Sequence, residues 1–351
     1  MVASARRTVA CAPSARPPVP GLPPTFRAYV VNREGDHFER GLQTVTPDDL
    51  PEGDVEIQVG WSSVNFKDGL AATADGKVAR AYPIVPGIDL AGTVVNSTHP
   101  AIRPGSEVIA HGYDLGVSRH GGYAEYALVP AGWIVPLPDG LSVREAMALG
   151  TAGFTAALAV VELERNGLEP PNGPVLVTGA TGGVGSTAIA ILAELGYEVW
   201  AVTGKLEERA WLETLGAVGF LTREEITAEG RALESERWAG AVDSVGAATL
   251  PYILRTLRRA GAVAACCNAS GPALVTTVFP FILRGVALLG IDSAYLAIDR
   301  RRRIWERLAT DLRPRSLAER VTEVTLDTLE PALDAIIAGE ARGRWVVRVG
   351  G

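Results

Sequence analysis

"VLVTGATGGVGSTAI", residues 175–189, passes from an apolar strand-like run through four glycines into a helix-like run. Where side chains vanish between a strand and a helix, main-chain N–H groups are bared at a helix N-terminus, and the helix dipole there favours an anion. In a dinucleotide fingerprint the first glycine makes a tight turn, the second lets backbone approach a pyrophosphate, and the third allows close helix packing. Those places fall on Ala180, Gly182 and Gly185, with Gly179 ahead of the alanine. The amides of Thr181, Gly182, Gly183, Val184 and Gly185 are therefore the expected pyrophosphate cradle. A glycine motif alone is a weak signal whose bland reading is a structural turn, and its setting has to decide.

Working outward, the chain from Pro174 alternates strand and helix: "PVLVTG", "GVGSTAIAILAELG", "YEVWAVTG", "EERAWLETLG", "GAVDSVG", "LPYILRTLRR", "GAVAACCNA". Strands separated by helices of this length imply βαβ units, right-handed crossovers and a doubly wound parallel sheet of the Rossmann kind, an α/β fold. From Phe26 to about Ala131, short β-like runs alternate with turn signals and predict a small, mostly β domain. "SVREAMALGTAGFTAALAVVELER" (142–165) opens on a Ser N-cap with Glu145 three residues on, a capping box that predicts a linker helix. "RRRRIWERLATDL" reads as a helix, and the tail "GRWVVRVGG" is β-flavoured and expected to return to the first domain. The expected organisation is a disordered leader at 1–25, a mostly β domain at 26–145 and 294–351, and a Rossmann domain at 146–293. The leader is proline-rich and carries Arg6, Arg7 and Arg16 with no acidic residue. Its prolines oppose the amphipathic helix of a transit peptide.

At 351 residues and 47% hydrophobic content, the chain is long and apolar enough for two cores. A formal charge of −7 argues against a nucleic-acid partner. Cys11, Cys266 and Cys267 have no paired spacing, so neither a disulfide framework nor a zinc cluster follows, and a reducing cytoplasm is expected. Uncharged runs such as 146–161 fall short of the ~20 residues of a membrane span.

The second strand of the alternating region selects the nucleotide. An NAD site places Asp or Glu about 20 residues past the loop, on the ribose hydroxyls. Here "AVTGKLEER" offers Thr203, Gly204 and Lys205 instead. Lys205, with Arg209 or Arg223 as a second donor, suits a ribose 2′-phosphate, and the expected cofactor is NADPH.

At this point the sequence resembles the zinc-independent medium-chain dehydrogenase/reductases, in their quinone oxidoreductase branch, and most closely the NADPH-dependent acrylyl-CoA reductases. The residues that carry the resemblance are "SSVNFKDGLA" (62–71), "PIVPGIDLAGTV" (83–94), "GGYAEYA" (121–127), "MALGTAGFTAALAV" (147–160), "VTGATGGVGSTA" (177–188), "AVDSVG" (241–246), "AVAACCN" (262–268) and "TTVFPFILRGVALLGIDS" (276–293). The resemblance spans essentially everything after residue 25 and implies that the first domain is GroES-like. Zinc enzymes of the wider family use a Cys at the place of Asn65 and a His-Glu pair at Ile88 and Asp89, and this chain has no such set, so no metal is expected. His111 and His120 read as surface or loop residues.

The resemblance implies hydride transfer from NADPH to the β-carbon of a short enoyl thioester. On that analogy the loop "NFKDG" faces the nicotinamide: Asn65 and Asp68 are the candidate catalytic residues and Phe66 packs near the ring. Asp68 has the alternative of a simple turn cap. Cys266 and Asn268 lie at a sheet end expected to line the cofactor cleft, and Arg344 follows the family pattern toward the same cleft. Arg300–Arg303 are either a grip on CoA phosphates or a charged helix start. The alternatives to an enoyl-CoA reductase are a quinone or enone reductase and a binding protein without turnover. The resemblance also implies a homodimer.

Overall fold

The computed structural model describes residues 21–315, 317 and 321–350; Cys11 and most of the expected leader lie outside them. The chain opens with a hairpin, β1 (Phe26–Glu34) and β2 (His37–Val45), turned at Gly35. β3 (Val55–Val64) leads into a short helix α1 (Phe66–Ala71), and β4 (Asp89–Ser97), β5 (Glu107–His111), β6 (Tyr126–Val129) and β7 (Ile134–Pro136) follow. The "NFKDG" segment, expected as a loop, is thus helical. Its cause is local: Asp68, three residues past the N-cap Asn65, accepts a hydrogen bond from the Asn65 N–H at 3.0 Å, one half of a capping box.

The long helix α2 (Val143–Arg165) starts at the expected cap, with Ser142 Oγ accepting from Glu145 N at 3.2 Å and Glu145 Oε2 accepting from Ser142 N at 3.0 Å. Then come β8 (Val175–Val177), α3 (Gly183–Glu194), β9 (Val199–Val202), α4 (Arg209–Thr214), β10 (Ala217–Leu221), α5 (Arg223–Thr227), β11 (Trp238–Asp243), α6 (Thr249–Thr256), β12 (Leu257–Ala265), α7 (Phe279–Arg284) and β13 (Ala287–Gly290). Their strands form one parallel sheet in the order β10-β9-β8-β11-β12-β13. β8 and β11 are buried along their whole length, as parallel strands covered on both faces require. The strand order reverses between β8 and β11, the place where doubly wound folds open a ligand crevice.

The last elements are α8 (Ile298–Ala309), β14 (Val321–Thr325), α9 (Leu329–Ile337) and β15 (Arg344–Arg348). β14 and β15 join the first sheet, whose order is β14-β15-β3-β4-β5-β7 with β6 also on β3. β15 runs antiparallel to β3, pairing Trp345 with Val64 and Arg348 with Trp61.

α2 packs against β3, β4, β5 and β15 on one side and α3, β11 and β12 on the other, so the boundary expected at 145/146 falls inside a helix shared by both units. Its most apolar window is 83% buried in this double contact, and its apolar character is that of a core helix. The sequence reads as one continuous helix, yet α2 breaks at Gly150, with φ 52° and ψ −158°. The break frees the Thr151 N–H, which donates to Asp89 Oδ2 at 2.8 Å. A Cβ at position 150 would lie 2.6 Å from both Arg344 Nη2 and Ser63 Oγ. The positive φ and these two approaches both demand glycine. Gly150→Ala is expected to cost at least ~1–3 kcal/mol of stability, read as a lowered urea midpoint with an unchanged slope.

Candidate functional site

The glycine loop spans from β8 to the N-terminus of α3. The tight turn belongs to Gly179, at φ +60° with a Cβ position 2.3 Å from Ser244 Oγ, rather than to the Ala180 that sequence spacing assigned. Gly185 is the close-packing glycine, since its Cβ would meet Gly179 O at 2.3 Å. The Gly182 N–H turns inward to Gly179 O at 3.0 Å and is spent within the loop. The N–H groups left for an outside acceptor are those of the first turn of α3, the amides of Gly183, Val184 and Gly185, which a helix start leaves without an acceptor of its own. Thr181 accepts from Gly343 N at 2.9 Å, tying the loop to the segment that enters β15.

Past β9, Thr203, Gly204, Lys205 and Arg223 line a cavity of about 140 Å³ together with Gly179 and Thr181. No Asp or Glu is among the cavity's lining residues. Thr203 Oγ1 accepts from Lys205 N at 2.9 Å and fixes the start of the turn. Arg223 reaches back toward Gly204, its Nη2 3.5 Å from that residue's Cβ position. Arg209, the other candidate second donor, pairs with Glu213 at 3.1 Å and stacks over Phe220 instead.

Asp243, at the end of β11, was not singled out by sequence reasoning, although it stands in the "AVDSVG" motif. It accepts from Thr178 Oγ1 at 2.6 Å, Thr249 Oγ1 at 2.9 Å and Gly246 N at 3.0 Å, clamping the ends of β8 and β11 where the crevice opens. Cys266 is half-buried beside it, with its N–H donating to Asp243 O at 3.0 Å, and Asn268 is exposed at the mouth.

Across the cleft the first sheet contributes a buried polar network. Asp89 accepts from Ser63 N at 3.0 Å, Ser63 Oγ at 2.7 Å, Asn65 Nδ2 at 3.1 Å and Thr151 N at 2.8 Å. Arg344 donates to Ser63 Oγ at 2.7 Å, Ala148 O at 3.0 Å and Asn65 Oδ1 at 3.3 Å. It comes so near the glycine loop that a Cβ at Gly183 would meet its Nη1 at 3.0 Å. Asn65 also donates to Asp68 Oδ2 at 3.1 Å, so its amide is engaged inward on every side. Asp68 is fully buried, its Oδ1 accepting from Gly87 N at 3.1 Å and Ile88 N at 2.8 Å. Burial, with Asp89 adding repulsion, pushes the Asp68 carboxyl up to about 7 despite these donors. Phe66 is the member of "NFKDG" that faces out, 45% exposed.

One expectation is overturned. His111 is no surface residue: it is buried against Phe154 and accepts from Trp305 Nε1 at 2.9 Å, and burial with Arg301 beside it holds the ring well below its usual range. The arginines at 300–303 do lie at a helix start, in the first turns of α8, but not as one outward cluster. Arg301 points inward and donates to His111 O at 2.9 Å and Ala294 O at 2.9 Å, while Arg300 pairs with Glu162 and Arg302 with Asp299. Helical spacing separates these side chains onto different faces.

Residues 51–139 match the alcohol dehydrogenase GroES-like domain model and residues 183–310 match the model described as zinc-binding dehydrogenase. The chain is 49% identical over 328 residues to acrylyl-CoA reductase AcuI of Ruegeria pomeroyi, covering 92% of this chain and 99% of that protein. It is 47% identical over 327 residues to YhfP of Bacillus subtilis, which carries a quinone oxidoreductase name, again covering 92% and 99%. The chain belongs to the medium-chain dehydrogenase/reductase family. The crystal structure of the Salmonella enterica yhdH oxidoreductase in complex with NADP matches this family member with a TM-score of 0.90 at 46% identity, over 92% of this chain and all (100%) of that one. YhfP with NAD bound also matches at 0.90, with 47% identity over 92% of this chain and 99% of that one.

As a medium-chain dehydrogenase/reductase, the chain is an oxidoreductase with a GroES-like unit and a Rossmann unit. Its residues do not fit the zinc ion that one family description implies. Asn65 presents an amide, Ile88 an alkyl group, and the Asp89 carboxylate is already saturated by Ser63, Asn65 and Thr151. Among the described residues no three His, Cys, Asp or Glu side chains converge. The cation beside the carboxylate is the guanidinium of Arg344.

The raised Asp68 gives a pH test. Its folded value of about 7 lies above that of an unfolded Asp, so between the two the folded state holds a proton the unfolded state has lost. Stability is then expected to fall as pH rises through about 4 to 7, by at most ~1.4 kcal/mol per pH unit. Asp68→Asn removes this contribution to the slope, which urea titrations of both proteins at several pH values would read.

Proposed function

We propose that this oxidoreductase uses NADPH to reduce the α,β-double bond of a short enoyl-CoA such as acrylyl-CoA. The observation that carries the reading is the donor set at Asn65, Ile88 and Asp89. With amide, alkyl and a locked carboxylate there, the site lacks the Lewis acid with which alcohol oxidation stabilises an alkoxide, whereas addition of hydride to an activated C=C requires none. The name of the R. pomeroyi relative supports the substrate class and the NADP of the S. enterica structure supports the cofactor.

The residues fit that cofactor. The amides of Gly183, Val184 and Gly185 would hold the pyrophosphate, with Thr181 and Gly182 shaping the approach. Thr203, Gly204, Lys205 and Arg223 would surround the adenosine ribose, the last two as cations for its 2′-phosphate. Cys266 and Asn268 would line the nicotinamide end of the cleft. When bound, NADPH supplies the hydride equivalent for the β-carbon. Phe66 would cover the reacting face and exclude water. Asn65 and Asp68, expected from the sequence to touch the reacting groups, are positioning residues in this reading: both are saturated by the network that holds α1 and the 86–88 loop in place. Arg344 likewise acts from beneath, holding the first sheet against the glycine loop. Residues 26–145 with 294–351 form the substrate-facing unit and 146–293 the cofactor unit. Cys266 and Cys267, both free thiols, suit a reducing cytoplasm.

A second copy is the partner this reading assigns. Among the described residues β13 ends its sheet with no further strand beside it, and the segment that leads into it carries Val275 at 82% exposure and Ile282 at 67%. An edge strand paired with its own copy about a two-fold axis covers both edge and patch. Sedimentation should show a dimer for the wild type and a monomer for Ile282→Glu; a monomeric wild type would remove this assignment.

Steady-state assays on purified protein with NADPH and either acrylyl-CoA or a panel of quinones test the function. The expected outcome is a kcat/KM for acrylyl-CoA at least about tenfold above that of any quinone. The reverse order would favour the quinone reductase reading, which the YhfP name supports. For the cofactor, Lys205→Ala and Arg223→Ala should each raise the KM for NADPH about tenfold, a charge-assisted hydrogen bond of ~1.5–3 kcal/mol, and leave that for NADH nearly unchanged.

A further inference from the structure

Two of the cations that line the cavity of about 140 Å³ past β9, Lys205 and Arg223, form no ion pair among the described residues. Carboxylates are close in sequence to both: Glu207 and Glu208 to the lysine, Glu224 and Glu225 to the arginine. Glu207 and Glu224 are exposed, and Glu225 Oε2 accepts from Thr222 N at 2.6 Å as part of the cap of α5. Glu208 behaves differently. Its N–H donates to Lys205 O at 3.0 Å, closing a 3-10 turn in which side chains three apart eclipse, so the lysine would be its natural partner. Its carboxylate instead accepts from Arg342 Nη1 at 3.0 Å. Arg342 lies in the segment 338–343 that joins α9 to β15, and so belongs to the unit across the cleft. That segment is fixed in place: the Arg342 guanidinium lies 5.3 Å from the centre of the Trp211 ring, Gly343 N donates to Thr181 O at 2.9 Å, and Gly339 lines the same cavity as Lys205 and Arg223.

We propose that Arg342 is a specificity-determining positioning residue for the cofactor's ribose 2′-phosphate: by drawing Glu208 away, it leaves Lys205 unpaired for the phosphate. The inference rests on the NADPH reading above and adds to it a residue from the other unit. A carboxylate one 3-10 turn from Lys205 acts against a phosphate there in two ways. It competes for the lysine, and it repels the like charge of the phosphate oxygens. A cation held on the far side of the carboxylate counters both. Glu208 is half-buried, so solvent ions screen it less than they would a fully exposed acid, and the pairing matters more. NADH carries no 2′-phosphate, and its binding is indifferent to where Glu208 points.

The test is a set of dissociation constants for NADPH and for NADH, from fluorescence titrations of the full chain as wild type, Arg342→Ala, Arg342→Lys and the double variant Arg342→Ala/Glu208→Gln. Wild type should bind NADPH at least about tenfold more tightly than NADH, as a charge-assisted contact to the phosphate requires. Arg342→Ala should weaken NADPH about three- to fivefold, the size of one partly exposed charge interaction, and leave NADH within about twofold. That loss should shrink at high salt. Arg342→Lys, which keeps the cation, should retain most of the affinity for NADPH, and Glu208→Gln added to Arg342→Ala should restore it. Equal losses for NADPH and NADH would mark a merely structural contact and overturn the proposal. A loss that Glu208→Gln fails to relieve would overturn it as well, making Arg342 a direct ligand of the phosphate. A wild type without preference for NADPH would sink the cofactor reading and this inference together, whereas a wild type that prefers NADPH, with Arg342→Ala unchanged, removes the role of Arg342 alone.

Discussion

The architecture hangs on one buried carboxylate. Asp89 collects donors from β3 through Ser63, from the cap of α1 through Asn65, and from the break in α2 through Thr151, while Arg344 of β15 reaches the same hydroxyl of Ser63. Each group taken alone would be costly to bury, and removing one partner of such a set typically costs about 3–5 kcal/mol because the others are left uncompensated. Satisfied together they fix geometry: the two sheets meet where this network meets the glycine loop, with Arg344 beneath Gly183. The cleft between the units is therefore aligned by polar contacts at its floor and by the apolar body of α2 behind it.

This arrangement explains how much of the molecule could be read from sequence. The strand-helix alternation, the Ser142 capping box and the glycine loop are local patterns, whose periodicity, caps and turns are written in neighbouring residues. The position of Lys205 just past β9, with no Asp or Glu at the strand end, was legible for the same reason: strand ends and loops have fixed offsets in a βαβ unit. The shift of the tight turn from Ala180 to Gly179 is a single-residue correction within that pattern.

What escaped reading depends on residues far apart in the chain. Nothing near Gly150 announces a break; the Asp89 carboxylate and the Arg344 guanidinium, more than 60 and about 190 residues away, require it. Arg301 and His111 each looked like surface residues, and only the packing of α8 against β5 and Phe154 turns them into one buried cluster. Asp243 is an ordinary strand residue until Thr178 and Thr249 converge on it. α1 is the exception, because Asn65 and Asp68 spell a local cap that was visible but was given a chemical meaning first.

The placement of β15 reaches beyond the finished fold. It lies between β14 and β3, so the seven-stranded sheet that β3 begins has a place on that side which residues some 280 positions further along the chain fill. On the ribosome, the contiguous 175–290 sheet can close while the upper half of β3, from Trp61 to Val64, still lacks one neighbour. Until Arg344–Arg348 emerge, the nascent chain carries an open β edge at Trp61–Val64.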